Sequence, residues 1–139
     1  MLIVDTGPLV AAADRDDEHH AQYFALLDGD PGPFITSSMV IAEAAYLINR
    51  QVGPDAEAAL YEWILDGTLH VETLTIDDWQ RVHDLVEQYS DLPLGGTDSS
   101  LVAIAERLRA ARLATIDRTH FRVVRPAHLD AFDLILPPA

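Results

Sequence analysis

The 139-residue chain contains no cysteine and no lysine. The absence of cysteine excludes disulfide bonds, zinc–thiolate sites and thiol catalysis, and it fits a reducing, cytoplasmic setting. The absence of lysine leaves arginine, with nine copies, as the only strongly basic residue. No apolar stretch approaches the roughly 20 residues that a membrane span requires. We therefore expect a cytoplasmic protein whose chemistry uses neither thiols nor amines.

Positive charge is scarce, because nine arginines face 23 acids and the formal net charge is −14. Such a balance argues against general coating of nucleic acid, since the phosphates would be repelled. The distribution of the arginines along the chain modifies this interpretation. The segment 107–125, called the basic strip below, holds six arginines and a single acid, Asp117. The rest of the chain is strongly acidic, so one basic segment encloses one acid.

Short apolar runs alternate with helix-like segments along the whole chain. Because the runs are apolar on both faces, they are typical of parallel strands covered by helices. We predict a single α/β domain over residues 1–139, with three layers and a central parallel sheet flanked by helices. The predicted strands are residues 1–4, 34–36, 69–74, 113–116 and 123–124.

Two of the predicted strands run directly into an aspartate. Asp5 follows the first run, and Asp117 follows the run at 113–116. Ligands of parallel sheets bind beyond the carboxyl ends of the strands, so both acids are expected at the chemically active edge. Each of them taken alone also fits an ordinary turn residue.

Two more acids are predicted at the same end of the sheet. Apolar residues follow Asp98 at i+3, i+4 and i+7, which places it on the inward face of its helix, near the start. Glu43 lies about two turns into the helix predicted over 37–50, at the edge of an apolar stripe. Singly, these acids fit a helix cap and a solvated surface residue. Together the four acids, from four elements, predict one carboxylate cluster.

The motifs around these acids resemble those of the PIN domain family, and more narrowly the VapC toxin ribonucleases of bacterial toxin–antitoxin pairs. They are DTGPL, SSMVIAEAAYLI, DLPLGGTDSSLVAIAERL and ATIDRTHF, in this order along essentially the whole chain. The resemblance implies a sheet of order 3-2-1-4-5, a homodimer, divalent-metal-dependent RNA cleavage and neutralisation by a small cognate antitoxin. It places the family's acidic quartet on Asp5, Glu43, Asp98 and Asp117, and supporting hydroxyls on Thr6 and Thr115. Ser99, where this family often has alanine, is a mild departure.

A divalent cation would relieve the mutual repulsion of clustered carboxylates. Oxygen ligands with retained water suit Mg²⁺ or Mn²⁺. We expect Asp5 and Asp98 to hold the ion directly or through water, whereas Asp117 completes its coordination or holds a second ion. Glu43 either ligates or orients and deprotonates the attacking water. Attack by water would leave a 5′-phosphate and a 3′-hydroxyl.

Three residues of the basic strip receive separate interpretations. Arg118, directly after Asp117, is the predicted contact to an RNA phosphate, which positions the substrate without reading its sequence. Arg112 is expected to be structural. His120 follows Asp117 closely enough to approach the site, but it is interpreted as a surface or packing residue, and the histidines are expected to lie outside the acidic cluster.

Two other functions that use clustered acids lack residues they require in this chain. A response-regulator receiver requires a lysine near its acids, and a haloacid-dehalogenase-type phosphatase requires a second aspartate where Gly7 stands. A PIN-like module that only binds other proteins stays open as the alternative. Surfaces for a second copy or an antitoxin are expected on the helices EHHAQYFALL and AEAAYLINR, where core packing explains the same residues equally well.

Overall fold

All five strands of the computed structural model, which describes residues 1–138, run parallel in one sheet of order β3-β2-β1-β4-β5. The strands are β1 (Leu2–Val4), β2 (Phe34–Ser37), β3 (Leu69–Glu72), β4 (Arg112–Ala114) and β5 (Asp133–Ile135). The helices are α1 (Thr6–Ala13), α2 (His20–Gly29), α3 (Ser38–Gln51), α4 (Pro54–Leu65), α5 (Ile76–Gln88), α6 (Gly96–Leu108) and α7 (His120–Val123). The predicted fold class and strand order are confirmed.

The central strand β1 explains why its residues are apolar on both faces. Leu2, Ile3 and Val4 are completely buried, and the strand pairs with β2 on one side and β4 on the other. Helices α1 to α4 pack against one another, and α5 packs on α6. None of the helices between residues 1 and 138 combines the length and apolar character that a membrane crossing needs.

The last predicted strand was wrong. Residues 120–123 form α7, and the fifth strand is Asp133–Ile135, in the tail. Asp117 explains the difference, because its side chain accepts the backbone N–H groups of Thr119 and His120 and so opens a helical turn. Local capping overrides the β-propensity of a two-valine run. The predicted strand at 113–116 is also shorter, since β4 ends at Ala114.

The strand order brings the candidate acids to one edge of the sheet. Strands β1 and β4 are neighbours, and Asp5 follows the first while Asp117 lies three residues beyond the second. Ser37 ends β2 and also caps α3, since its hydroxyl accepts the N–H of Val40. Because parallel strands point the same way, all of these chain turns meet at the carboxyl edge.

Candidate metal centre

Asp5 is held by hydrogen bonds to both of its carboxylate oxygens. Its Oδ1 accepts the backbone N–H of Thr6 (2.8 Å), so that Asp5 caps α1. Its Oδ2 accepts the hydroxyl of Thr115 (2.8 Å), which comes from the segment after β4. The residue is 7% exposed. This carboxylate is therefore buried, fixed and shared between two elements.

Burial has a clear electrostatic consequence for Asp5. Its pKa is raised from the ordinary 3.8 to about 6, chiefly by removal from water and next by the negative charge of Asp98. The hydrogen bonds from Thr115 and Thr6 oppose this rise, and Glu43 adds a smaller increase. A cation placed beside the carboxylate would remove this conflict between burial and charge.

Asp117 and Asp5 are linked through one hydroxyl. Thr115 donates to Asp5 and, through the same oxygen, accepts the backbone N–H of Asp117 (3.0 Å). Asp117 Oδ1 accepts the N–H groups of Thr119 (2.7 Å) and His120 (3.0 Å) at the start of α7. Its other oxygen, Oδ2, is thus turned toward the neighbouring acid and histidine.

Asp98 lies in the first turn of α6, in contact with the side chain of His120. His120 Nδ1 is 3.0 Å from Asp98 Oδ2 and 2.9 Å from Asp117 Oδ2. Burial raises the pKa of Asp98, the contact with His120 opposes the rise, and the charges of Asp117 and Glu43 add to it. Two carboxylates and one imidazole thus meet within hydrogen-bonding distance.

Glu43 lies at the exposed rim of the cluster. The hydroxyl of Thr6 donates to its Oε2 (3.1 Å), while the residue itself is solvent-exposed. The structure therefore brings all four predicted acids to one edge of the sheet, and both predicted hydroxyls bind an acid. Their roles stay predictions.

The interpretation of His120 as lying outside the cluster was wrong. Its ring stands between Asp98 and Asp117, and one donor atom of each of the three residues lies within 4.8 Å of the others. The spacing from Asp117 is i, i+3, which places two side chains on one face when a helical turn forms. The closeness of His120 to Asp117 in sequence was the available signal, but residues 118–121 were predicted to be a turn, so the helical geometry that joins the two side chains was not expected.

The basic strip is partly occupied by structural contacts. Arg112 pairs with Asp30 (2.5 Å), as expected of a structural residue, and Arg107 pairs with Glu72 (2.9 Å) and Asp78 (3.0 Å). Arg118 donates from Nη2 to the carbonyls of residues 137 and 138, the latter at 2.9 Å. Its contact with RNA phosphate stays a prediction.

The donor set fits a divalent cation. Carboxylate oxygens of Asp98 and Asp117, with the imidazole nitrogen of His120, lie close enough to share one ion, and Asp5 adds a neighbouring charge. Hard dications take carboxylate oxygens, and imidazole suits first-row transition metals. The cluster can thus hold an ion at the carboxyl edge of the sheet.

Comparison with known proteins identifies a family. The sequence pattern described as PIN domain matches residues 2–126. The chain is 30% identical over 134 residues to Ribonuclease VapC26 of Mycobacterium tuberculosis (strain ATCC 25618 / H37Rv), an alignment that covers 96% of this chain and 99% of that protein.

Solved structures share the fold at lower sequence identity. Mycobacterium tuberculosis VapC20, a Sarcin-Ricin loop cleaving toxin, superposes with a TM-score of 0.75 at 22% identity, over 81% of this chain and 87% of that one. VapBC2 from Rickettsia felis, bound to a DNA fragment from their promoter, gives 0.68 at 16% identity, over 99% and 98%. FitAcB from Neisseria gonorrhoeae gives 0.56 at 12% identity, over 86% and 89%.

Proposed function

Because this chain belongs to the PIN domain family and, within it, to the VapC ribonucleases, we propose that it is a divalent-metal-dependent endoribonuclease that acts as the toxin of a toxin–antitoxin pair. The observation that carries the proposal is the meeting of Asp5, Glu43, Asp98 and Asp117 at one sheet edge, where hydroxyls and His120 link them. Cations bound in this cluster would supply the positive charge that attracts RNA phosphates to an otherwise acidic chain.

We assign three of the acids to metal binding. Asp98 and Asp117 face each other across His120, and Asp5 lies beside them as a buried negative charge. Mg²⁺ or Mn²⁺ suits carboxylate oxygens and keeps several waters. When bound, such an ion lowers the pKa of a coordinated water and polarises the phosphodiester.

Glu43 is assigned to the attacking water. Its exposure at the rim gives access to solvent and substrate, and the Thr6 hydroxyl on Oε2 fixes its orientation. Glu43 takes one proton as the water oxygen bonds to phosphorus, and the bond to the 3′-oxygen breaks. Protonation of that oxygen by solvent leaves a 3′-hydroxyl and a 5′-phosphate.

A small antitoxin and a second copy of the chain are the proposed partners in the cytoplasm. Phe24 on α2 and Tyr46 on α3 are 52% and 61% exposed, on the two helices predicted to carry the interfaces. A groove of about 370 Å³ lies beside Phe24, between α2 and α4. Exposed aromatic residues next to a groove are typical of protein interfaces.

The decisive experiment is cleavage of structured RNA by the purified protein in Mg²⁺ or Mn²⁺. We expect activity that EDTA abolishes, and a loss of at least about 100-fold in Asp5→Asn and Glu43→Gln, because general bases and charged metal ligands contribute on this scale. Asp16→Asn changes an exposed acid in the turn after α1 and is the matched control.

Equal activity in Asp5→Asn and wild type would show that a contaminating nuclease cleaves the RNA. This result would favour the protein-binding module, whose acids have no catalytic role. Sequencing the ends of RNA fragments from cells that express the chain would then identify the target and test the predicted 5′-phosphate.

A further inference from the structure

We propose that His120 is a direct ligand of the divalent ion through Nδ1, and that this nitrogen makes the site prefer Mn²⁺ to Mg²⁺. This proposal rests on the proposed function and concerns the same acidic cluster. It adds a ligand that the acidic quartet does not include, and it selects between two metals that the carboxylates alone do not distinguish.

The first support is the separation of the three donor atoms. Nδ1 of His120 lies 2.9 Å from Asp117 Oδ2 and 3.0 Å from Asp98 Oδ2. Neighbouring ligands of an octahedral ion, each at roughly 2.1 Å from it, are roughly 3 Å apart. Both separations are close to the edge of such an octahedron, and the donor atoms of Asp98 and Asp117 lie within 4.8 Å of each other.

The second support is the way the backbone holds this histidine. The His120 N–H donates to Asp117 Oδ1, which leaves Asp117 Oδ2 facing the ring. The next residue, Phe121, is 1% exposed and contacts Phe132 edge-on. Buried packing of Phe121 therefore anchors α7 and keeps the imidazole between the two carboxylates.

The third support is the chemistry of the nitrogen. Mg²⁺ binds oxygen ligands and releases its waters reluctantly, whereas imidazole is a common ligand of first-row transition metals. Replacing one oxygen by an imidazole nitrogen therefore favours Mn²⁺ relative to Mg²⁺. Four carboxylates alone would carry no such preference.

A different role for His120 gives a different prediction. If the Nδ1–H group of His120 only donates hydrogen bonds to the two carboxylates, the ring occupies the position of the ion. The ring must then move away when the ion binds. The nitrogen would then lie outside the coordination sphere of a bound Mn²⁺. Magnetic coupling between Mn²⁺ and ¹⁴N separates the two roles without any measurement of activity.

The experiment is pulsed EPR of the full-length protein with one equivalent of Mn²⁺, together with calorimetric titrations of Mn²⁺ and Mg²⁺. We expect ¹⁴N modulation typical of a coordinated imidazole in the wild type and its loss in His120→Ala. The Mn²⁺ affinity of His120→Ala should fall at least about tenfold, a loss that even the outer-sphere partners of metal ligands can cause. The Mg²⁺ affinity should fall by a smaller factor.

The matched control is His83→Ala. His83 is exposed on α5 and also lies between two carboxylates, 3.0 Å from Asp84 and 3.1 Å from Glu87. Its two carboxylates contact different ring nitrogens, Nδ1 and Nε2, whereas both acids near His120 lie at Nδ1 alone. We expect His83→Ala to keep the wild-type spectrum and both affinities.

Two results would overturn the assignment of His120. One is saturable Mn²⁺ binding by wild type without nitrogen coupling, which requires no variant to fold. The other is an equal loss of Mn²⁺ and Mg²⁺ affinity in a His120→Ala protein whose circular dichroism is that of the wild type. If Asp98→Asn abolishes Mn²⁺ binding in either case, the metal site on the acids is retained and only the assignment of His120 as a ligand is rejected. If wild type binds no Mn²⁺, the metal site of the proposed function fails as well.

Discussion

At the scale of single residues, the candidate site is a set of carboxylates in an unfavourable environment. Asp5 is almost completely buried and has two acids as electrostatic neighbours, and its hydrogen bonds offset the unfavourable burial only in part. Strongly perturbed carboxylates of this kind are frequent at functional sites. A bound cation would relieve this unfavourable electrostatic environment.

We predict that Asp5→Asn stabilises the metal-free protein. The folded-state pKa of Asp5 is about 6, above the ordinary 3.8, so the favourable contribution of the protonated form is complete below pH 3.8 and is lost as the pH rises through 6. At pH 7.5 the variant should be more stable by about 1–3 kcal/mol, since two pKa units correspond to roughly that energy. Urea unfolding in EDTA at pH 7.5 and 4 measures the difference, which should disappear at pH 4.

We predict that Mn²⁺ reverses this order of stability. An ion that binds only the folded wild type should stabilise it and should have no such effect on Asp5→Asn. Asp16→Asn should behave as wild type throughout. A variant that is less stable than wild type at both pH values would contradict the pKa assigned to Asp5.

Thr115 supports the ionised form of Asp5, and its removal should be visible in the pH dependence of metal binding. The Thr115 hydroxyl lowers the pKa of Asp5, so Thr115→Val should raise this pKa further. Because a metal ligand must be deprotonated, Mn²⁺ binding should then weaken at a higher pH than in wild type. Titrations between pH 5.5 and 8 measure the shift.

Thr36→Val is the control for this substitution. Its buried hydroxyl donates to the Val4 carbonyl (2.8 Å), near the same edge of the sheet, without touching an acid. It should lower the free energy of unfolding and leave the pH profile unchanged. Identical profiles for Thr115→Val and wild type would remove Thr115 from the site.

At the scale of elements, the site depends on a close approach between the start of α1 and the segment after β4. A Cβ on Gly7 would lie 2.9 Å from Cδ1 and 3.0 Å from Cγ1 of Ile116. Ile116 stands between Thr115, which binds Asp5, and Asp117. Glycine in the DTG motif thus lets two elements that carry acids come together.

We predict that Gly7→Ala separates these elements. The added methyl group should destabilise the fold by about 1–3 kcal/mol, as overpacking does in other cores. It should also weaken Mn²⁺ binding, because displacement of Ile116 moves its neighbours Thr115 and Asp117. Unfolding curves and calorimetric titration measure the two effects.

Gly29→Ala is the matched control, since a Cβ at Gly29 would meet nothing within 4 Å. Gly29 is the last residue of α2, and alanine has the higher helix propensity. This variant should keep full metal affinity and at least wild-type stability. Equal metal affinities in the two variants would show that the close approach at Gly7 does not shape the site.

At the scale of the whole molecule, an acidic protein has to bind a polyanion. The net charge is −14, and arginines 81, 107 and 112 are engaged in ion pairs with acids. Long-range electrostatics therefore oppose RNA binding, and local positive charge must supply the attraction. Arg118 follows Asp117 and is bound to carbonyls of the tail, so RNA would have to compete with the tail for it.

We predict that Arg118→Ala weakens RNA binding and flattens its salt dependence. Loss of one phosphate contact should reduce the slope of log K against log salt by about 1. Arg15→Ala is the control with the same change in net charge, because Arg15 is exposed in the turn that follows α1. Binding of Glu43→Gln protein, which keeps the three acids assigned to the metal, to labelled RNA between 50 and 300 mM salt measures the slopes without cleavage. Equal slopes for both arginine variants would attribute any effect to net charge alone.

The sequence by itself determined the parallel sheet, the strand order through the family resemblance, and the four acids and two hydroxyls that meet at its edge. The parallel sheet and the meeting of the acids follow from periodicity and from the rule that parallel strands end at one edge. The strand order and the two hydroxyls were implied by the resemblance alone. The capping of α5 by Thr75 and Asp78 is a local feature of the sequence.

Only the tertiary structure decided what depends on contacts between distant segments. The fifth strand forms at 133–135 because it pairs with β4. A three-residue edge strand is too short to be predicted from hydrophobic periodicity. His120 joins the acids because Asp117 opens a helical turn and Phe121 packs into the core. Arg118 meets the tail, about 20 residues away in sequence. Such side-chain partners come from segments that are distant in sequence, and packing determines which of them meet. The local sequence therefore does not predict these contacts.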